Sequence, residues 1–376
     1  VASDARPSPG VHAHLLGALA EVDHDSEAAV AFYDQALASG EDAAAQDAWV
    51  AKGSLLLERG QHAELEALCV SALSGKQGTP SRRTRINMHS FAALSRFRRG
   101  EVVEARNRLE QALEVVQHME DPLGEAGIQL NLGTVLRRSV GPAASLACFA
   151  RAGECSASVG HLAGEVQAAY MHAGALRETG QLVESGEVLT SILRIAPHAG
   201  HAHAARVRGS IGLVLADRGH AARALVWLED AGNELSGLEL HLEAARLLAR
   251  AAFLRAALDP HAPAPSEPLL LARETDPRVG LDLARRSAAL GELESARSFT
   301  SDALDLARRL SLHEAENDAR DLLGLLSDTG DVRPKGEADV SRVGCLARLL
   351  AQGELPELRA ARDRFEAEGW DGLAAR

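Results

Sequence analysis

The sequence predicts an all-α chain made of repeated helix pairs, and three observations support this fold class. A small residue recurs in successive helix-like segments, mostly at steps of 36 to 40 residues: Gly17, Gly53, Ala93, Gly133, Ala173, Gly212, Ala284 and Gly324. A glycine after each such segment, and an alanine near the end of the next segment, follow the same period. No window shows the sustained alternation typical of strands. Self-similarity at this period is the signature of a repeat architecture.

Each repeat is predicted to contain two amphipathic helices joined by a glycine turn. The apolar run Leu55–Arg59 ends at Gly60, where glycine can adopt the left-handed conformation that closes a helix. The following helix of repeat three begins near Glu101, and its apolar residues recur at helical spacing. These residues are Val102, Ala105, Leu109, Ala112 and Leu113. Short side chains let the two helices approach to about 8–10 Å, and stacked pairs bury a shared core.

These residues resemble the tetratricopeptide repeat (TPR) family. Repeat three supplies Ala93, Gly100, Ala105, Leu109 and Ala112; repeat four Gly133, Leu136, Gly141, Phe149 and Ala152; repeat six Gly212, Leu215, Gly219, Ala224, Leu228 and Ala231; repeat eight Ala284, Gly291, Ala296 and Ala303. The resemblance covers roughly residues 11–330 and implies a right-handed α-solenoid of about nine antiparallel helix pairs. The period exceeds the family's usual 34 residues or so, and Ser145 and Ser185 replace a small alanine.

A proline-rich segment interrupts the array. Residues 258–268 carry four of the thirteen prolines, and proline is excluded from helix interiors. We therefore predict an array over residues 1–258, a loop or joint over 259–280, and a continuation with divergent helices and a cap over 281–376. An insertion in a turn is the favoured interpretation of the middle segment, and a flexible joint stays open.

Composition excludes several classes of protein. The net charge of −13 disfavours a general phosphate-binding role, and 3% aromatic residues disfavour a base-stacking platform. No apolar run is long enough to span a membrane, and the four cysteines have no metal-type spacing, so we expect a cytoplasmic protein with reduced thiols. The sequence begins with Val1 rather than Met, which leads us to expect a piece of a longer chain.

Catalytic and metal motifs are incomplete. Ser74–Thr79 lacks the first glycine and the Ser/Thr of a phosphate loop, and His313–Asn317 lacks the second histidine of a zinc-protease helix. The cluster His198, His201 and His203 matches no known ligand spacing, so we favour exposed histidines over a metal site. We predict no enzyme activity, no metal and no cofactor.

The candidate binding residues lie on the first helices of repeats three to five. In TPR arrays the first helices line a concave groove, and equivalent positions stack as a ladder. Four arginines near the helix ends are expected to form a basic patch for carboxylates, and three polar residues are expected to hold a peptide backbone. They are Arg98, Arg137, Arg138 and Arg177, with Asn131, Gln167 and Tyr170. The alternative is that these cations only stabilise helix C-termini or form a solvated face.

The resemblance implies a non-catalytic module that binds a peptide or partner protein in the groove, with no direct contact to nucleic acid or membrane. The long repeats are similar to TPR regions of bacterial signalling proteins, including kinases, ATPases, transcription regulators and CHAT proteases. We therefore predict the regulatory region of such a protein. Two alternatives stay open: the effector-binding half of a LuxR/MalT-type DNA-linked regulator, and an enzyme with a site at the histidine cluster.

Overall fold

The computed structural model describes residues 7–23, 25–75, 79–118, 120–259, 261–310 and 312–328. Within these ranges the chain forms eighteen helices and no strand, which confirms the predicted all-α class. They comprise eight consecutive helix pairs, the first helix of a ninth, and one additional short helix. The total of nine pairs stays a prediction, because residues 329–376, with the predicted cap and Cys345, lie outside the described residues.

The helices fall into two compact units, Val1–Gly164 and Glu165–Arg376, called here the N-terminal and C-terminal units. The N-terminal unit contains α1 (Pro9–Val22), α2 (Ser26–Ala38), α3 (Asp42–Glu58), α4 (His62–Leu73), α5 (Arg82–Arg98), α6 (Val102–Gln117), α7 (Pro122–Ser139) and α8 (Pro142–Ser158). Next come α9 (Leu162–Glu178), α10 (Leu182–Ile192), α11 (Ala196–Ala199), α12 (His201–Asp217), α13 (Ala221–Gly237), α14 (His241–Leu258), α15 (Glu267–Ala272), α16 (Pro277–Ala289), α17 (Leu293–Arg309) and α18 (His313–Asp328).

The small residues of the repeat lattice lie where paired helices approach most closely. A Cβ added at Gly133 of α7 would lie 2.6 Å from the ring of Phe149 in α8. A Cβ added at Gly212 of α12 would lie 2.8 Å from Leu228 in α13. Real Cβ atoms do not approach other atoms so closely, so any larger residue would push the helices of a pair apart.

The glycine turns of the repeats have the predicted conformation. Gly60, after α3, has a φ of 67°, and Gly100, after α5, has a φ of 84°. Both values lie in the left-handed region, which glycine adopts at little cost because it has no Cβ. The chain therefore reverses direction within a few residues and starts the second helix of the repeat.

The proline-rich segment shortens the seventh repeat within the C-terminal unit. Its first helix, α14, ends at Leu258, and its second helix, α15, has only six residues. The Pro263 carbonyl accepts a 2.9 Å hydrogen bond from Nη2 of the buried Arg286 in α16. This hydrogen bond attaches the proline-rich segment to the next repeat. The division of the chain at residues 259–280 stays a prediction.

No helix in the described part of the chain is both long enough and apolar enough to cross a membrane.

Candidate functional site

The four predicted arginines lie near the carboxyl ends of first helices. Arg98 is the last residue of α5, Arg137 and Arg138 lie in the last turn of α7, and Arg177 lies in the last turn of α9. A cation near a helix C-terminus is stabilised by the helix dipole. The helix dipole therefore favours arginine at these positions. The contact that each guanidinium makes depends on the neighbouring helices.

In the N-terminal unit, Arg98 caps a neighbouring helix. Its Nη1 donates a hydrogen bond to the carbonyl oxygen of Leu57, in the last turn of α3. The last four carbonyls of a helix have no partner within that helix. Arg98 therefore joins the ends of two consecutive first helices.

Arg138 has an aromatic contact in the same unit. Its guanidinium carbon lies 5.1 Å from the centre of the Phe97 ring, on α5. Burial lowers the pKa of Arg138 from its ordinary value, which is so high that the side chain stays charged. Arg137 and Asn131 are half-buried on the same helix, and Asn131 shares a face with Arg138 because the two lie seven residues apart.

In the C-terminal unit, Arg177 forms an ion pair. Its Nη1 donates to Oδ2 of Asp217, at the end of α12, over 2.6 Å. Burial opposes ionisation of Asp217, but Arg177, together with Arg250 and Arg285, outweighs it and holds the pKa of Asp217 below its ordinary value. Arg177 is thus balanced by an acid from the next repeat.

The ion pair of Arg177 belongs to a larger network of alternating charges. Asp282 of α16 lies 2.8 Å from Nη1 of Arg285 and 3.3 Å from Nε of Arg250. Arg285 also lies 3.6 Å from Asp318 of α18. Three arginines and three aspartates from five first helices therefore form the network: Arg177, Arg250, Arg285, Asp217, Asp282 and Asp318.

Tyr170 lies beside His203 of the histidine cluster and near an ion pair that the sequence analysis missed. Its ring centre is 6.4 Å from that of His203 on α12, and burial raises the pKa of Tyr170. One turn after His203, Arg206 donates from Nε and Nη2 to the carboxylate of Glu243 on α14, at 2.7 and 2.8 Å. Arg206 lies 39 residues after the exposed Gln167, so the repeat period was a signal that could have found it.

The predicted site residues divide between the two units. Arg98, Asn131, Arg137 and Arg138 belong to the N-terminal unit; Gln167, Tyr170 and Arg177 belong to the C-terminal unit. Within the N-terminal unit the ends of α5 and α7 carry three of the four arginines. The single basic patch of four arginines stays a prediction.

The histidine cluster does not form a metal site. His198 lies on α11, and His201 and His203 lie on α12. Over the described ranges, no group of three or more His, Cys, Asp or Glu side chains could hold a metal ion. Cys69 and Cys155 are buried free thiols, and burial raises the pKa of Cys69 to about 12.

Solved structures show the same fold. A Rap protein complexed with competence and sporulation factor has a TM-score of 0.53 at 12% identity, with 85% of this chain and 96% of that chain covered. The apo form of RapI has a TM-score of 0.51 at 12% identity, with 74% and 96% covered. The chain has a TPR-type fold. The predicted resemblance is therefore confirmed at the level of the fold.

A tetratricopeptide repeat protein from Parabacteroides merdae is also similar, with a TM-score of 0.46, 14% identity, and 85% of this chain and 100% of that chain covered. No protein-family model matches the TPR-like chain, and no curated protein matches it.

Proposed function

We propose that this TPR-like protein is a non-catalytic module that binds a peptide or partner protein along its first helices. The observation that carries the proposal is the set of three arginines at the ends of α5 and α7. Arg98 contacts a carbonyl oxygen and Arg138 contacts an aromatic ring. These contacts hold the guanidinium groups in place at a helix end.

The ligand group that fits these arginines is a carboxylate. A guanidinium has five N–H donors in a planar fork, so a contact on one edge is compatible with a bidentate bond to a carboxylate on another. Asn131, on the same face of α7 as Arg138, would bond the peptide backbone near that carboxylate. We assign the acid-binding role to Arg98, Arg137 and Arg138.

The C-terminal unit has its own candidate contacts with a peptide. Arg177 is balanced by Asp217, so in this proposal it positions α9 against α12 rather than binding an acid. Gln167 is exposed and Tyr170 half-buried on α9, and both can form hydrogen bonds with a peptide backbone. We assign peptide-backbone binding within the C-terminal unit to these two residues.

The fold is known to accommodate a binding partner in another protein. The Rap structure contains competence and sporulation factor, and the proposal extends such a use to the present chain. As the regulatory region of a larger bacterial signalling protein, the module would transmit binding through the contacts between successive repeats.

Peptides selected from a random phage-displayed library on the whole chain would test the proposal. We expect the selected peptides to be enriched in Asp, Glu or a free C-terminus. The double variant Arg137→Glu and Arg138→Glu should weaken their binding more than about tenfold, which corresponds to about 1.4 kcal/mol. Fluorescence anisotropy with labelled peptides measures this change.

The matched control is Arg82→Glu with Arg83→Glu, two adjacent exposed arginines at the opposite end of α5. It makes the same change in charge within the same unit, and we expect unchanged binding. Equal affinity of the peptides for the Arg137/Arg138 variant and for wild type would contradict the proposal.

A further inference from the structure

Seven of the eight later first helices in the described part of the chain, all except α14, share a face that is covered. In each of these helices we consider two positions: the fifth residue before the small lattice residue and the second residue after it. The two positions are seven residues apart and therefore lie on one face of the helix. Both are at most 7% exposed in all seven later helices aligned this way. The pairs are Ala48 and Leu55, Met88 and Ser95, Ile128 and Val135, Ala168 and Ala175, Val207 and Val214, Val279 and Arg286, and Ala319 and Leu326.

A second helix from the preceding repeat packs on this side. In the N-terminal unit α2 packs on α3, α4 on α5, and α6 on α7. Ala48 and Leu55 of α3 belong to one core cluster with Tyr33 and Ala36 of α2. Burial of this face is therefore a regular part of the interface between repeats.

In α1 the equivalent face is open. His12 is exposed, and Leu19 is 59% exposed. Apolar neighbours on the same side extend the surface along the helix: Leu15 is 49% exposed and Val22 is 74% exposed. Val11, at 37%, begins the stripe. We call the surface formed by Val11, His12, Leu15, Leu19 and Val22 the α1 face.

The opposite side of α1 is well packed. Ala13, Gly17 and Ala20 are buried, and a Cβ at Gly17 would lie 2.6 Å from the Tyr33 ring. The open apolar residues are therefore not explained by a loosely packed helix. A row of exposed Leu and Val marks an interaction surface.

The α1 face is also suited to meet itself. Between Pro9 and Ala20 the helix has no Asp, Glu, Lys or Arg, and Glu21 accepts a hydrogen bond from the Tyr33 hydroxyl. Two identical copies of such a surface can pair without bringing like charges together.

We propose that the α1 face joins two copies of this chain around a two-fold axis. A second helix runs antiparallel to the first helix that follows it, and two helices α1 related by a two-fold axis perpendicular to them are also antiparallel. The partner's α1 therefore takes the place that the preceding second helix occupies on α3, α5 and α7. The proposal is independent of the peptide-binding role and uses none of its residues.

Sedimentation equilibrium of the whole chain over micromolar concentrations tests this. Wild type is expected to show a reversible monomer–dimer equilibrium, and Leu15→Glu with Leu19→Glu is expected to be monomeric over the same range. The single variant Leu19→Gln should raise the dimer dissociation constant at least about tenfold, because one amide in each copy becomes buried against an apolar surface.

Val70→Glu and Val226→Glu are matched controls, since both residues are exposed valines on second helices, at 63% and 59%. They should leave the dissociation constant unchanged, and circular dichroism should show native helicity for every variant. A monomeric wild type, or a dimer that survives Leu15→Glu with Leu19→Glu, would overturn the proposal.

Discussion

The ends of the first helices differ between the two units, although arginines lie in the last turn of first helices in both. In the N-terminal unit Arg98 contacts a carbonyl oxygen and Arg138 contacts a phenyl ring. In the C-terminal unit Arg177 faces Asp217, within a network of three arginines and three aspartates. The arginines near the ends of first helices therefore have different observed contacts in the two units.

Burial leads us to expect that the two arrangements respond differently to mutation. Asp282 is buried between two arginine partners, so removing it leaves positive charges in a poorly solvated place. The Leu57 carbonyl lies at a helix end beside the exposed Arg98, where water can replace the lost donor. We expect large effects in the C-terminal unit and small effects in the N-terminal unit.

The largest effect is expected for Asp282→Ala. Removing one partner of a buried ion pair costs about 3–5 kcal/mol, and here two arginines lose a partner. Urea denaturation followed by circular dichroism measures the loss, and hydrogen exchange should place it in α14 and α16. Asp318→Ala, at the exposed end of the network, is the control, with an expected loss below about 1 kcal/mol. Equal losses for the two variants would contradict the idea that burial sets the cost of removing a carboxylate from the network.

The pH dependence of Asp217 gives the next effect. Its pKa is lowered in the folded protein, so its contribution to stability is complete above the ordinary value near 3.9 and is lost as pH falls through the folded pKa. Asp217→Asn should therefore be less stable than wild type at neutral pH, and the difference should shrink below about pH 4. Urea denaturation at several pH values measures it, and a constant difference across the range would contradict the assignment.

A smaller effect is expected for Arg98→Ala. The variant loses one hydrogen bond to the Leu57 carbonyl, worth about 1 kcal/mol or less at an exposed helix end. Arg98→Lys is the control, since lysine keeps the charge and a donor. A loss comparable to that of Asp282→Ala would show that the N-terminal helix ends are as tightly coupled as the C-terminal network.

The smallest effect is expected for the contact between Arg138 and Phe97. A double-mutant cycle with Arg138→Met and Phe97→Leu should give a coupling of about 0.5–1 kcal/mol. The cycle removes the contributions that each residue makes to other neighbours. A coupling of zero would mean that the ring does not hold the guanidinium in place.

The repeat lattice was the most predictable part of the molecule, because its signals are local. Gly60 and Gly100 end helices with left-handed backbone, as their positions predict. Gly133 lies against the Phe149 ring because close helix packing needs a short side chain at that point. Prolines predicted the interruption after residue 258, but the six-residue α15 and the bond from Arg286 to Pro263 depend on the neighbouring repeat.

The candidate site was less predictable, because its partners are distant in the sequence. The period aligns Arg137 with Arg177, but it does not say that Asp217, forty residues beyond Arg177, balances its charge. Arg206 and Glu243 were missed for the same reason, since their ion pair joins the first helices of two adjacent repeats. The histidines at 198, 201 and 203 are neighbours in sequence and still do not form a metal-binding group within the described residues.

The sequence by itself determined the helical class, the repeat period and the turns, since each follows from side-chain size and backbone preference within a few residues. The tertiary structure alone decided that Asp217 pairs with Arg177 and that the α1 face is exposed. Coulomb energy and burial depend on what lies within a few ångströms, and in a repeat protein those neighbours come from about 30 to 40 residues away.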